Sequence, residues 1–300
     1  MNQIKLLFSL FLLSSLALTS CLRDVELNSN NSTKNQLVVI AELEEGISPQ
    51  IRISTTFEVT SSPLAINGDS TFVTLTESES NFEALREFRP LGNDPSLFWL
   101  PAGLTLTPGE SFILTVEAPN PGVEPLYGET TMPLRGSIDN STVESVIEND
   151  DYTELAVSIN LGDTPDISSY YHLSPYVIDN SGSKIFPDVS KISSGDNACT
   201  ILTHRDGILI DISSLDNTNL LEFHLRSLLP LDINQLSDKN LYFKLNTVAE
   251  EYYLYHQSVS RQFETNQSPF TIPTLSYSQF ENGYGIFTAF SSEIFESPIN

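Results

Sequence analysis

The sequence predicts a mostly β protein with two β-sandwich-like domains, the first immunoglobulin- or prealbumin-like and the second β-rich with one amphipathic helix. Three observations predict it. Short runs rich in β-branched residues recur along the chain, several of them alternating at period two. Gly, Pro, Asn and Asp clusters punctuate these runs at the spacing of an all-β module, not of strands alternating with crossover helices. The roughly 280 residues that follow the leader exceed what one sandwich core usually holds.

The first element is a leader, residues 1–20. A single cation, Lys5, precedes an apolar stretch from Leu6 to Leu18 that has the length of a signal-peptide core and is too short to span a bilayer. It ends in Leu18-Thr19-Ser20-Cys21, a branched apolar residue and two small residues before a cysteine, which fits the pocket of the lipoprotein signal peptidase as a bacterial lipobox does. Cleavage leaves Cys21 first, with a diacylglycerol on its thiol and a third chain on its amine. Each buried methylene then contributes about 0.8 kcal/mol, and two or more chains make attachment stable. Residues 21–36 read as a lipidated flexible tether, too polar to fold. Asp24 and Glu26, separated by Val25, resemble the acidic signal that exports Bacteroidota lipoproteins to the outer face. The expected location is the outer membrane, through a lipid anchor on Cys21 and facing the cell exterior.

Residues 37–135 form the expected N-terminal sandwich. Leu37 to Ile40, Ile51 to Ser54, Phe72 to Leu75 and Phe112 to Val116 read as strands, separated by turn signals at Ser48-Pro49, Asn67-Gly68-Asp69, Asn93-Asp94-Pro95 and Pro108-Gly109. A polar stretch at 136–151, ending Glu148-Asn149-Asp150-Asp151, is the expected linker. Residues 152–300 form the C-terminal domain, with strands over Leu155 to Leu161, Tyr170 to Ile178, Gly207 to Ile212, Leu220 to Leu228 and Leu241 to Leu245. A helix near 248–263 follows. Thr247-Val248-Ala249-Glu250 reads as its capping box, and Tyr252, Tyr255, Val259 and Phe263 as its apolar stripe, ending before Pro269. Asn282-Gly283 and Gly285 offer backbone tolerant of positive φ before a closing strand over Ile286 to Phe290.

The chain carries 39 acidic and 14 basic residues. Loss of Lys5 with the leader makes the mature surface more acidic still, which repels nucleic acid and leaves attachment to the lipid, not to a basic patch. Only Cys199 remains after lipidation, so no intrachain disulfide forms. His172, His204, His224 and His256 are scattered singly, without the spacing that sets two metal ligands on one face, and no metal or cofactor is expected. Cys199 and His204, five apart, lack the orienting partner of a nucleophilic pair, and no catalytic residue is expected. The acidic loops Glu148 to Asp151 and Ser194 to Asn197 lack the calcium-loop register. Asp69-Ser70-Thr71 is similar to the O-glycosylation tripeptide of Bacteroidota. Tyr253, off the helical stripe, is a candidate for stacking on a ligand. Trp99, Tyr127, Tyr171 and Tyr284, in or near turns, are the places to look for a small-molecule pocket, though the sequence leaves ligand-binding residues unassigned.

Glu251-Tyr252-Tyr253-Leu254-Tyr255, then Ser268 to Pro273, then Glu281-Asn282-Gly283-Tyr284-Gly285-Ile286-Phe287 resemble, in order and spacing, the C-terminal signature of a Bacteroidota lipoprotein family known as domain of unknown function 4249 (DUF4249). The resemblance extends over nearly the whole mature chain through the lipobox, the Pro108-Gly109 segment, Tyr127 to Pro133 and Tyr170-Tyr171. It implies an outer-membrane component encoded beside TonB-dependent receptors and implies no catalytic residues. The expected function is therefore a non-enzymatic binding or accessory subunit on a TonB-dependent transporter barrel. The alternatives are a surface hydrolase of glycan or peptide and an adhesin-like structural protein.

Overall fold

Along the chain, period-two alternation of apolar residues produces strand after strand, and the period changes to that of a helix once. A computed structural model describes residues 36–56, 70–77, 86–87, 89–91, 94–99, 106–118, 122–148, 152–162, 170–194, 198–215, 219–227, 236–266 and 276–299. The leader, Cys21 and the tether lie outside these residues, as do the Asn67-Gly68-Asp69 turn and most of both acidic loops.

The strands are β1 (Leu37–Glu44), β2 (Gln50–Thr55), β3 (Phe72–Glu77), β4 (Arg86–Glu87), β5 (Arg89–Leu91), β6 (Asp94–Trp99), β7 (Ser111–Glu117), β8 (Leu126–Thr131), β9 (Ile138–Glu148), β10 (Thr153–Leu161), β11 (Tyr170–Asp179), β12 (Lys184–Ile185), β13 (Asp188–Ser194), β14 (Cys199–Ile201), β15 (Ile208–Asp211), β16 (Leu220–Ser227), β17 (Leu236–Val248) and β18 (Tyr284–Pro298). One helix, α1 (Glu250–Asn266), lies between β17 and β18. Among the described residues the fold is mostly β with one α-helix, as the sequence predicts.

A ten-stranded sheet runs in the order β14-β15-β11-β17-β18-β1-β2-β6-β5, with β12 paired to β11. Two four-stranded sheets, β4-β3-β7-β8 and β13-β16-β10-β9, complete the architecture. One core fills the space between the first small sheet and the β1, β2 and β18 part of the large sheet: Leu37, Val39, Ile53, Leu75, Leu114 and Phe287 are all buried in it. A second core joins the other small sheet to β11, β15 and β17 through Leu155, Phe223, Leu173, Ile210 and Phe243. Both cores take the odd-numbered residues of the large sheet's central strands, so they lie on one face of it.

Sequence order and core membership part company at the seam. Residues 138–148, expected within the linker, form β9, which pairs with β10. Over residues 138–144 it buries Val143 fully, while Asn140, Thr142 and Glu144 are exposed. A stretch of edge strand that buries so little carries the composition of a loop. The C-terminal strand β18 lies parallel to β1, in register from Val38 opposite Tyr284 to Glu44 opposite Phe290, and sends Phe287 and Ala289 into the core built from the first 135 residues.

Two local expectations about α1 are corrected. Thr247 is not its cap: it belongs to β17, is buried, and its hydroxyl accepts a hydrogen bond from Gly136 N at 2.7 Å. The stripe is also rotated. Tyr252, Tyr253, His256 and Ser260 are the buried positions, whereas Phe263 is half exposed. Tyr252, His256 and Ser260 stand four apart, one face of the helix, with two polar groups where the sequence reading placed only apolar ones. No helix among the described residues is long and apolar enough to cross a membrane.

Gly285 has φ +109°, and a Cβ there would overlap the Val39 carbonyl across the β1–β18 pair. Gly46 has φ +74° with open space around its Cβ position. Gly285→Ala is therefore expected to cost at least about 2 kcal/mol in urea unfolding, against about 1 kcal/mol for Gly46→Ala, which carries the dihedral penalty alone. Equal costs would show that the two end strands are not locked by close approach.

Candidate functional site

The same alternation that feeds the cores fills the opposite face of the large sheet. Glu42 and Glu44 of β1, His172 and Ser174 of β11, and Lys244 and Asn246 of β17 all project there, one residue out of phase with Leu43, Leu173 and Leu245. The register sets His172 opposite Asn246 and Ser174 opposite Lys244, with Ser292 opposite Asn246 on the other side. Helix α1 and the loop 202–207 cover this face. Gly207, at φ +113°, lets the loop close on β11: a Cβ there would overlap the Leu173 carbonyl.

Arg205, carried by that loop, makes the central contacts. Its two terminal nitrogens reach Glu42 Oε1 and Oε2 at 3.1 and 3.0 Å, a bidentate pair between a loop and the sheet. Its Nη1 also donates to the Tyr252 hydroxyl at 2.9 Å. Glu42 is held down at about 2: burial would raise it, but the hydrogen bond from His256 and the charge and hydrogen bonds of Arg205 outweigh that.

With Glu42 ionised, the hydrogen bonds of the imidazoles acquire a direction. His256 Nε2–H donates to Glu42 Oε1 at 3.0 Å, so its Nδ1 accepts from His204 Nε2–H at 2.9 Å. His204 Nδ1 is then left to accept from the Ser260 hydroxyl at 3.1 Å. A second chain starts at Arg205. Tyr252 accepts from the guanidinium and gives its proton to His172 Nδ1 at 2.8 Å, and His172 Nε2–H donates to the Asp206 carbonyl at 2.9 Å. Both chains require neutral imidazoles, and burial supplies them. His172 is pushed down to about 3, His204 to about 4 by burial and then by His256 and Arg205, and His256 is lowered by burial against the pull of Glu42. Burial likewise raises the Tyr252 phenol.

Three of the four histidines thus meet in one network, although each is isolated in sequence. The signal for it was the four-residue spacing of Tyr252, His256 and Ser260; the partners Glu42, His172 and Arg205 come from remote segments, and no local pattern marks them. His224 lies elsewhere, paired with Glu154 at 2.9 Å. Cys199 packs partly buried against the second core, and the ring nitrogens of His204 go to Ser260 and His256. Tyr253 stacks on Tyr170 with ring centroids 4.5 Å apart. The four aromatics singled out near turns do not converge: Tyr171 is fully buried in the second core, Trp99 is partly buried at the end of β6, and Tyr127 and Tyr284 are exposed. Among the described residues no three His, Cys, Asp or Glu side chains gather as metal ligands.

The sign of the pH dependence follows from these values. A histidine at about 3 when folded and near 6.5 when unfolded binds its proton first in the unfolded chain, so the stability it contributes is complete above pH 6.5 and is lost as pH falls toward 3. Glu42, lowered from 4.5 to about 2, adds a loss of the same sign below pH 4.5. His172 alone is expected to remove about 2 kcal/mol between pH 7.5 and pH 5. His172→Gln should be less stable at pH 7.5 yet show a flatter decline on acidification in urea titrations; a parallel decline would place the proton uptake elsewhere.

The comparisons with known proteins bear on the family. No curated protein matches. Among solved structures, the chain is similar to a DUF4785 family protein from Legionella pneumophila at 15% identity and a TM-score of 0.24, over 69% of this chain and 51% of that one. It therefore spans about half the length of that protein. The family model described as Domain of unknown function (DUF4249) matches residues 23–294. With that match covering most of the chain, the protein belongs to the DUF4249 family.

Proposed function

We propose that the protein is a non-enzymatic binding or accessory subunit of the cell envelope, lipid-anchored through Cys21 and docked on a TonB-dependent outer-membrane transporter. The observation that carries the non-enzymatic part is the direction of the two hydrogen-bond chains. Each imidazole nitrogen in them already has a partner, and the two serine hydroxyls beside a histidine are engaged as well: Ser260 is fully buried and donates to His204, and Ser174, 3.2 Å from His172 Nε2, donates to the Asp206 carbonyl. A general base needs a nitrogen free to take a proton from substrate. Here the proton-accepting nitrogens are spent on joining α1 and the 202–207 loop to β1 and β11.

The lipobox supports the anchored part. Because β1 begins at Leu37, the expected tether of residues 21–36 would link the lipid to a strand in the middle of the large sheet. A body held there stays within reach of an outer-membrane partner without inserting.

Mild-detergent extraction of the C-terminally tagged chain from its own outer membrane tests this reading. A transporter barrel is expected to co-purify with the lipidated protein and to be lost with Cys21→Ala. Recovery of the lipoprotein without a barrel would overturn the accessory role and shift weight to the hydrolase and adhesin alternatives.

A further inference from the structure

Beside the network, on the same face of the large sheet, lies a cavity of about 280 Å³ bounded by Lys184, Phe186, Arg205, Ser174, Lys244 and Asn246. Its walls come from β1, β11, β12 and the residue after it, β17, β18 and the 202–207 loop, with Glu44 and Phe290 completing the lining. In a chain with 39 acidic and 14 basic residues, three cations meet here.

Field strength is not the argument, because two of those cations are compensated. Arg205 is paired with Glu42, and Lys244 with Glu44 at 2.5 Å. The argument is the balance of donors and acceptors. Lys184 has no carboxylate partner among the described residues; its ammonium sits 4.3 Å from the centroid of the Tyr176 ring. Asn246, 4% exposed, points its amide nitrogen at His172 Nδ1 from 3.4 Å, but that lone pair is already taken by the Tyr252 hydroxyl at 2.8 Å. Asn246 lines the cavity, and this long contact leaves its amide with donor capacity for a further acceptor. Three of the acceptors on the walls are engaged: Glu44 Oε1 takes Lys244 and Ser292, the Asp206 carbonyl takes His172 and Ser174, and Asn246 Oδ1 takes Ser292. Asp206 itself is an exposed residue at the margin. An open pocket where three cations meet, one of them without a carboxylate partner among the described residues, and where these acceptors are already engaged favours a ligand that supplies oxygen atoms.

The rim adds a shape requirement. Phe186 is 42% exposed and tilts against Tyr176 with centroids 5.8 Å apart. An aromatic ring left open beside ammonium and amide donors suits the flat face of a sugar or other ring.

We infer that this cavity binds a small ring-bearing organic oxyanion, such as a monosaccharide carrying a carboxylate or a phosphate, with its oxygens on Lys184, Lys244 and Asn246 and its ring on Phe186. The inference rests on the binding-subunit reading and names its ligand class. It is measured on the isolated full-length protein in mild detergent, so failed binding leaves the transporter docking standing, and a failed pull-down leaves the titration standing.

Calorimetric titration with glucuronate, glucose 6-phosphate and glucose tests it. At least one of the two anions is expected to bind saturably and at least tenfold more tightly than glucose, and which one is tighter tells carboxylate from phosphate. Lys184→Gln and Phe186→Ala should each weaken that binding at least tenfold, while Lys191→Gln, an exposed lysine on β13, leaves it unchanged. Absence of saturable binding by both anions, glucose as tight as the anions, binding unaltered in either cavity variant, or an equal loss in Lys191→Gln would each overturn the inference.

Discussion

The parallel pairing of the first and last strands is the constraint on which the remaining structure depends. β1 and β18 occupy adjacent positions in the large sheet, with β2 on one side and β17 on the other. Parallel neighbours cannot be joined by a tight hairpin, so this contact closes late in sequence and brings together residues more than 240 positions apart. Once it forms, strands from both halves of the chain share a single sheet. The two cores then rest on a common wall, with Phe287 filling one and Phe295 packing against the other from the same strand.

That shared sheet also explains why the polar network can exist. A sheet with sandwiches on one face only must cover the other with something, and here a single 17-residue helix and a short loop do so. Their buried apolar contribution is small: Leu202, Tyr252 and Tyr253 meet Leu209, Val248, Ile286 and Phe290 of the sheet in that third cluster. Directed polar contacts supply the remainder. Arg205 meets Glu42 in a bidentate geometry that fixes both position and angle, and the further hydrogen bonds take their direction from the ionised carboxylate in one chain and from the guanidinium in the other. The arrangement is costly to interrupt at any one member, because the partner left behind is desolvated and unpaired.

Elements that repeat a local period were legible in the sequence. β1, β2, β3, β7, β10, β11, β16 and α1 all announce themselves by apolar alternation or by a four-residue stripe, and each lies close to where the sequence reading placed it. What resisted reading was non-local. β9 looks like a linker because its described first part, an edge stretch with Val143 buried between exposed Thr142 and Glu144, shows no apolar alternation. Thr247 looks like a cap because Thr-x-x-Glu occurs there, yet its hydroxyl is claimed by Gly136, 111 residues away. The histidines read as isolated because His172, His204 and His256 stand on a strand, a loop and a helix, and only the sheet register brings them within hydrogen-bond reach. The helix phase was one residue off for a related reason: polar residues were assumed to face solvent, and His256 and Ser260 face the sheet.

The location of the anion cavity follows from the same one-sided construction. Over the whole surface, acidic residues outnumber basic ones so heavily that the long-range field opposes any approaching anion. That field is screened beyond about 8 Å at physiological ionic strength, so its effect is confined to the approach. Within contact range the outcome depends on which hydrogen-bonding atoms remain unpaired, and the network has already used several of the acceptors. Glu42 and Glu44, the carboxylates that would otherwise repel a ligand oxygen, are spent on Arg205 and Lys244. Donors on Lys184, Lys244 and Asn246 remain over. Selectivity for an oxyanion can therefore arise locally in a strongly acidic protein, from donors left in excess after the sheet, loop and helix have satisfied one another, without any basic patch for a sequence reader to find.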